Sequence, residues 1–402
     1  MADTQSDSAS AEHLDLTQHE IEALKYTYNL ADAHTHQAQS PSQQRIVERL
    51  PLIWYEAERS LQYDIEQRFI REFFRVQKQP WALRNNNAML VYAASIAMAI
   101  VANYLMKKNM SISLLEPCFD NIHDLLGHMK VPMEPLREEW LHDSDTLYDN
   151  LSAHVTADAL FLVDPNNPTG FTLFRQGRRS YEELIRYAKD HSKLLIIDYC
   201  FASFMLPDRD LDVFDVYEML EQSGVDYIAM EDTGKTWPVQ DAKCAIIKTS
   251  KNLTEDIRNI QTSYLLNVSP FILSFLTEYI LDSERDQFAS VYELLGRNRD
   301  SAKRFLDGSM LEYQEPDCDV SVAWFKIRDS SIRATDLQKA ILQEGVYVLP
   351  GTYFYWCEPE RGDHFIRIAL ARNADIFEQA LRLIRKGFDR YAREHPASSY
   401  LL

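Results

Sequence analysis

An α/β fold with a mostly parallel sheet, crossover helices and a smaller α+β C-terminal domain is what this sequence predicts, on three observations. Between Leu83 and Ile260, short apolar runs alternate with amphipathic helical stretches. Each run ends in a loop of polar or special residues, the pattern by which helices return a chain to a parallel sheet and leave its strand ends to build a site. The 402 residues are enough for one large and one smaller domain.

The first dozen residues are polar and read as disordered, and Leu16-Thr17-Gln18-His19-Glu20 then opens a helix. There Thr17 is a candidate N-cap, with Glu20 at the third helical position. Residues 1–53 form an N-terminal arm punctuated by Pro41 and Pro51, and Glu56 to Gln77 reads as helix. Ala88 to Met106 is apolar enough to raise a membrane span, but Tyr92, Ser95 and Asn103 interrupt it. It reads instead as a short strand turning into a buried helix near Ala93-Ala94-Ser95. Ser111 to Leu115, Ala159 to Val163, Leu194 to Ile197 and Tyr227 to Met230 read as further strands. Together these define a large domain over residues 54–285. Long helices follow Pro270, and Val320 to Ile327, Val346 to Leu349 and His364 to Ala371 read as strands of a small domain over residues 286–402.

A formal net charge of -19 repels polyanions, which argues against nucleic acid and anionic membrane surfaces as partners and permits a cationic small molecule. Cys118, Cys200, Cys244, Cys318 and Cys357 form no CxxC pair, against a disulfide framework or zinc knuckle and in favour of a reducing compartment. No basic region followed by an apolar one is present at the start, so no signal peptide is readable and a cytoplasmic location is expected.

Four residues stand where chemistry is expected. Asn167 lies in Asn166-Asn167-Pro168-Thr169-Gly170, a turn that aims a side chain beyond a strand end; a purely structural turn fits as well. Asp198 closes Leu194-Leu195-Ile196-Ile197, where a carboxylate needs a cationic partner or serves as a helix cap. Lys235, in Glu231-Asp232-Thr233-Gly234-Lys235-Thr236-Trp237-Pro238, is an amine on a strand-end loop, able to form a Schiff base and shuttle protons. A P-loop would need glycine at Ala229 and a helix that Pro238 interrupts. Arg367, in the apolar Ile366-Arg367-Ile368, has the planar fork for an α-carboxylate or for an internal salt bridge.

Asn167, Asp198, Lys235 and Arg367 in this order resemble the fold-type I, aspartate-aminotransferase-like enzymes that use pyridoxal phosphate. The resemblance runs from about Trp54 to the end. It implies a mostly parallel seven-stranded-type sheet and a homodimer with active sites at the subunit interface. It further implies that Asn167 donates to the phenolic oxygen of the cofactor, that Asp198 keeps the ring nitrogen protonated so the ring acts as an electron sink, and that Phe119 stacks on the ring. Ser95 and the amides around Ala94 would hold the phosphate at a helix start, with Lys243 in the place of the usual arginine. Asp232 departs from the family, which carries a phosphate-binding serine there. A second anion beside phosphate is repelled, so Asp232 is expected to turn toward substrate and to favour a distal cation.

A closer resemblance is carried by Asn29-Leu30-Ala31-Asp32-Ala33-His34, Pro41-Ser42-Gln43-Gln44, Phe119-Asp120-Asn121-Ile122, Glu231 to Pro238 and Gly362-Asp363-His364 with Arg367. These look like the bacterial arginine oxidases and hydroxylases of indolmycin and enduracididine biosynthesis, which use pyridoxal phosphate and molecular oxygen without metal. The resemblance implies L-arginine as substrate, Thr17, Glu20, Asp32 and Asp232 around its guanidinium, and His34 facing the side chain as base or water-positioning group. Read alone, His34 is a packing histidine of the arm, as most histidines are structural, and only the resemblance reverses that reading; His36 has no comparable support. The products implied are an unsaturated or 4-hydroxylated 2-oxo acid, ammonia and hydrogen peroxide. Alternatives are a conventional aminotransferase of a cationic amino acid and a cyclase acting on hydroxyarginine.

Overall fold

The computed structural model describes residues 16–395; the polar start expected to be disordered lies outside the described residues. The arm contributes a helix, Leu16–Ala23, and a two-residue strand β1 (Tyr28–Asn29). Thr17 sits inside that helix and not at its cap. Pro41 and Pro51 occupy the first turns of the helices Pro41–Glu48 and Leu50–Arg59, where a missing N–H costs nothing. The stretch expected as one helix from Glu56 breaks at Ser60 and Leu61, both extended, before Gln62–Val76. Ser60 Oγ donates to the Glu56 carbonyl at 2.8 Å, a local bond that competes with continued helix.

The central sheet holds β2 (Ala88–Val91), β3 (Ile112–Glu116), β4 (Met133–Arg137), β5 (Ala159–Val163), β6 (Leu194–Asp198), β7 (Tyr227–Asp232) and β8 (Ala245–Thr249). Their spatial order is β2-β8-β7-β6-β5-β3-β4. The pairs from β7 to β4 are parallel, and β8 runs antiparallel to both β2 and β7. Strands β3, β5, β6, β7 and β8 are buried along their whole length, as strands covered on both faces must be. The sequence reading found β2, β3, β5, β6 and β7 but neither β4 nor β8. The run Ala88 to Met106 is strand β2 plus the helix Ala94–Lys108, and among the described residues no helix is long and apolar enough to cross a membrane.

After the helices Pro270–Asp286 and Ala289–Leu306 come β9 (Leu311–Gln314), β10 (Val322–Ile327), β11 (Val346–Tyr347), β12 (Leu349–Pro350) and β13 (Phe365–Ala369). A four-stranded antiparallel sheet runs β12-β13-β10-β9. The run Val346 to Leu349, expected as one strand, divides: β11 pairs in parallel with β1, whereas β12 pairs with β13. The arm is therefore stitched into the C-terminal part. Leu30 N–H donates to the Tyr347 carbonyl and Ala369 N–H to the Leu30 carbonyl, each at 2.8 Å.

Candidate active site

Strand register gathers the chemistry-bearing residues. Val163 is level with Asp198, Asp198 with Met230, and Asp232 with Ala245. The turn after β5, the end of β6, the turn after β7 and the approach to β8 thus lie together at one edge. In the first turn Asn166 is spent on structure, its amide nitrogen donating to the Pro117 carbonyl at 2.9 Å and to Glu138 at 2.6 Å. Asn167 is left to face inward. Gly170 adopts φ +72, and a β-carbon there would stand 2.4 Å from Pro316 Cβ, so only glycine closes this turn. In the turn after β7, Asp232 Oδ1 accepts the Gly234 N–H at 2.8 Å. A β-carbon on Gly234 would lie 2.6 Å from Lys243 Cδ, so its absence lets Lys243 run beside Lys235.

Lys235 is buried. Its Nζ lies 3.2 Å from His34 Nε2 and 5.2 Å from the centre of the Phe119 ring. Lys243 Nζ is also 3.2 Å from His34 Nε2, and 3.1 Å from Asp241 Oδ1. The other nitrogen of His34, Nδ1, is 2.5 Å from Asp32 Oδ1, while His36 Nε2 is 2.6 Å from Asp32 Oδ2. Asp32 Oδ1 also accepts the His34 N–H at 2.9 Å. An ionised carboxylate only accepts, so His34 carries its proton on Nδ1 when neutral and turns the Nε2 lone pair to the two amines. Burial opposes the Asp32 charge, but hydrogen bonds from the two histidines and the charges of His34 and Lys235 outweigh it. They hold the Asp32 carboxyl well below the usual carboxylate range.

The arm segment carrying His34 is fixed by a residue the sequence reading missed. Arg372, buried, donates to the carbonyls of Asn29 at 2.7 Å, His34 at 3.0 Å and Asp32 at 2.6 Å. Thr35 Oγ1 and Gln39 Nε2 donate to the Trp237 and Pro238 carbonyls, binding the arm to the loop after Lys235. Arg367 is fully buried. Its Nη1 donates to Asn167 Oδ1 at 3.3 Å, and its Nη2 to Glu20 Oε1 at 3.1 Å and to the Ala31 carbonyl. The internal salt bridge expected as one use of that guanidinium is present, with Glu20 as its partner.

These residues fit pyridoxal phosphate. Asp198 is buried, and its Oδ1 accepts the Cys200 N–H at 2.8 Å. Burial pushes its carboxyl up to about 6, the charge of Asp232 adding to the shift and that of Lys235 opposing it. A pyridinium N–H would supply the cation that such a carboxylate needs. Arg367 Nε is buried without a partner among the described residues, a donor suited to a carboxylate. The amides of Ala94 and Ser95 head the helix Ala94–Lys108, where N–H groups have no intrahelical acceptor and suit a phosphate. Lys243 points to His34 and Asp241, and would have to turn to reach that phosphate.

Thr17, Glu20, Asp32 and His34 line one cavity of about 280 Å³, with His36, Gly234, Asp241 and Lys243 on its other walls. Asp232 is not on this wall: one carboxylate oxygen is committed to Gly234. His36, which the sequence left unsupported, belongs to the cluster through Asp32. The only signal for it was a spacing of four residues outside any helix.

Comparison with known proteins agrees with this geometry. The model of the family "Aminotransferase class I and II" matches residues 61–384. The structure of MppP soaked with the product 2-ketoarginine is similar with a TM-score of 0.79 and 28% identity, covering 89% of this chain and 98% of that one. A pyridoxal-phosphate-bound putative aminotransferase from Clostridium difficile gives a TM-score of 0.76 at 15% identity, over 95% and 98% of the two chains. The putative aminotransferase AatC of Rhizobium meliloti is 23% identical over 57% of this chain, and the match spans 54% of that relative's length. The chain is a member of the aminotransferase class I and II family, whose enzymes depend on pyridoxal phosphate, and it has their fold-type I α/β architecture.

Proposed function

We propose that the protein is an L-arginine oxidase that uses pyridoxal phosphate and molecular oxygen, forming an unsaturated or 4-hydroxylated 2-oxo acid, ammonia and hydrogen peroxide in natural-product biosynthesis. The observation that carries this reading is the cavity beside Lys235 and His34, walled by the carboxylates of Glu20, Asp32 and Asp241. Three carboxylates against one lysine, Lys243, on the same walls leave the space net negative even though each carboxylate has a partner in the chain, which favours a substrate whose far end is a cation. The likeness to MppP, soaked with 2-ketoarginine, supports arginine in particular.

When bound, pyridoxal phosphate supplies the aldehyde that takes up the amino group and the ring that stores the electron pair left at Cα. The chain does the rest. Asn167 and Asp198 would hold the ring at its oxygen and its nitrogen, Phe119 would cover a face, and Ala94 and Ser95 would hold the phosphate, joined by Lys243 once it turns from Asp241. Arg367 holds the α-carboxylate. Lys235 Nζ removes the α-proton, and His34 Nε2, 3.2 Å away, passes protons to and from that amine. Asp32 keeps His34 in the tautomer that does so. Thr17, Glu20 and Asp32 line the space that receives the guanidinium, and Asp232, off that wall, adds its negative charge from behind the Gly234 turn. Two electrons pass to one dioxygen, giving hydrogen peroxide, and while the amino acid is still bound a second dioxygen takes two more, giving a second hydrogen peroxide and a double bond in the side chain. Water then releases ammonia and the unsaturated 2-oxo acid, and a water added across that double bond near His34 gives the 4-hydroxy product at the same oxidation level.

The proposed enzyme works as a homodimer. In support, Leu52, Trp54 and Tyr55 on the helix Leu50–Arg59, together with Leu61, Tyr63 and Leu266, are all exposed. The Trp54 ring lies 5.4 Å from Phe271, which joins the helix to the start of Pro270–Asp286.

The second reading, a conventional aminotransferase of a cationic amino acid, is favoured by the family match itself. Dissolved-oxygen measurement separates the two. Purified enzyme with pyridoxal phosphate and L-arginine, and no 2-oxo acid, should consume oxygen and accumulate peroxide. Alanine formed from pyruvate with no oxygen uptake would establish the aminotransferase and overturn the oxidase.

A further inference from the structure

Glu20 stands in an unexpected place. Its carboxylate, on the arm helix Leu16–Ala23, reaches across to Arg367 Nη2 at 3.1 Å and forms a buried ion pair. Arg367 is the guanidinium that the proposed reaction needs for the substrate's α-carboxylate. Glu20 also lines the cavity that holds Asp32, His34 and Asp241. One acidic side chain therefore touches the carboxylate receptor and the wall assigned to the distal cation.

We propose that Glu20 is a specificity-determining residue that exchanges partners: it holds Arg367 until a substrate carboxylate displaces it, and then pairs with the cation at the substrate's far end. This rests on the reading of the site as one for a cationic amino acid. Three features of the chain make the exchange workable. First, displacement does not strand Arg367, because the Asn167 amide oxygen and the Ala31 carbonyl keep two of its donors occupied. Its Nε, buried and unpaired among the described residues, then gains an acceptor in a carboxylate that binds with both oxygens. Second, the arm helix is anchored by the residue beside Glu20. His19 Nδ1 lies 3.1 Å from the Tyr347 hydroxyl, and its ring stacks on Tyr353 at 4.6 Å. Glu20 can thus swing by side-chain rotation while its helix stays in place. Third, the displaced carboxylate is costly to leave unpaired in a largely buried position. A ligand that supplies a carboxylate alone meets that cost, whereas one that also brings a cation removes it. Neutral amino acids are discriminated against through a repulsive term at Glu20 as well as through lost contacts.

The test uses the full chain reconstituted with pyridoxal phosphate and two ligands without an α-amino group: pentanoate, which has only the carboxylate, and 5-guanidinopentanoate, which has both ends. Binding is measured by calorimetry in the parent protein, in Glu20→Gln and in Glu20→Asp, with a thermal melt of each to confirm folding. In Glu20→Gln, pentanoate should bind about tenfold more tightly, the scale of one charged competitor removed, and 5-guanidinopentanoate about tenfold more weakly. Glu20→Asp keeps the charge on a shorter arm and should retain part of the preference for the guanidino ligand. Unchanged or weaker pentanoate binding in Glu20→Gln would overturn the competition for Arg367. Equal tightening of both ligands would overturn the exchange, leaving Glu20 a competitor only. The cationic-substrate reading fails separately, if the parent protein binds 5-guanidinopentanoate no better than pentanoate; the pentanoate comparison still decides whether Glu20 competes.

Discussion

Asp198 is costly to the protein that carries it, and in the proposed site it would pair with the ring nitrogen of pyridoxal phosphate. With its carboxyl raised from 3.8 to about 6 by burial, the folded chain keeps a proton that the unfolded chain loses near pH 4. Stability therefore falls as pH rises through that window, by on the order of 3 kcal/mol. Asp198→Asn preserves the acceptor for Cys200 N–H and removes the charge. Thermal melts of the cofactor-free proteins should show the variant more stable at pH 7 and the advantage shrinking toward pH 5; a constant difference would refute the assignment. With pyridoxal phosphate the order reverses, because the variant lacks the anion for the ring nitrogen. Asp232 offers a second residue-level test. Its Oδ1 is bonded to Gly234, a bond that a serine hydroxyl can replace, so Asp232→Ser keeps the turn and deletes one negative charge. The Michaelis constant for arginine should rise about threefold, the scale of one nearby charge removed without a direct contact, with the cofactor retained. Unaltered affinity for arginine would reduce Asp232 to a turn residue.

At the scale of elements, the arm leans on a single distant side chain. Arg372 donates to three carbonyls of the segment from Asn29 to His34, and burial lowers its pKa to about 10. Arg372→Ala strands those acceptors and frees the loop bearing Asp32 and His34. The expected loss is about 3 kcal/mol of stability together with a fall in kcat, read by denaturant titration and steady-state kinetics. A melt shift with unchanged kcat would show that the loop holds His34 without the clamp. Arg372 was not legible in the sequence because its partners are backbone carbonyls, which leave no residue pattern. The strand-end residues were legible for the opposite reason: β5 is an apolar run that stops at Val163, just before the turn bearing Asn167, and β6 and β7 end at Asp198 and Asp232, so pattern and placement coincide. Strand β4 was hidden by Glu134, Pro135 and Arg137 on a sheet edge, where proline is tolerated. Strand β8 was hidden by its antiparallel return, which breaks the alternation of strand and helix. The Asp32 and His36 pair sits four residues apart in irregular chain, where spacing alone predicts no contact.

For the whole molecule, a net charge of -19 acts on two equilibria with opposite sign. In the proposed homodimer two copies carrying like charge repel, so association through the exposed Leu52, Trp54, Tyr55, Leu61, Tyr63 and Leu266 must come from apolar burial working against that repulsion. Salt screens charge over about 8 Å at physiological ionic strength and barely touches apolar burial, so added salt should tighten the dimer. The same screening weakens the attraction of a cationic substrate to an acidic cavity. Raising sodium chloride from 50 to 500 mM, as rough endpoints on either side of that screening regime, should therefore lower the dimer dissociation constant in sedimentation and raise the Michaelis constant for arginine. Trp54→Glu should shift the chain toward monomer and make its association more salt-dependent. If both constants rose with salt, association would be held by opposite charges across the interface, and the apolar face would not be the contact between copies.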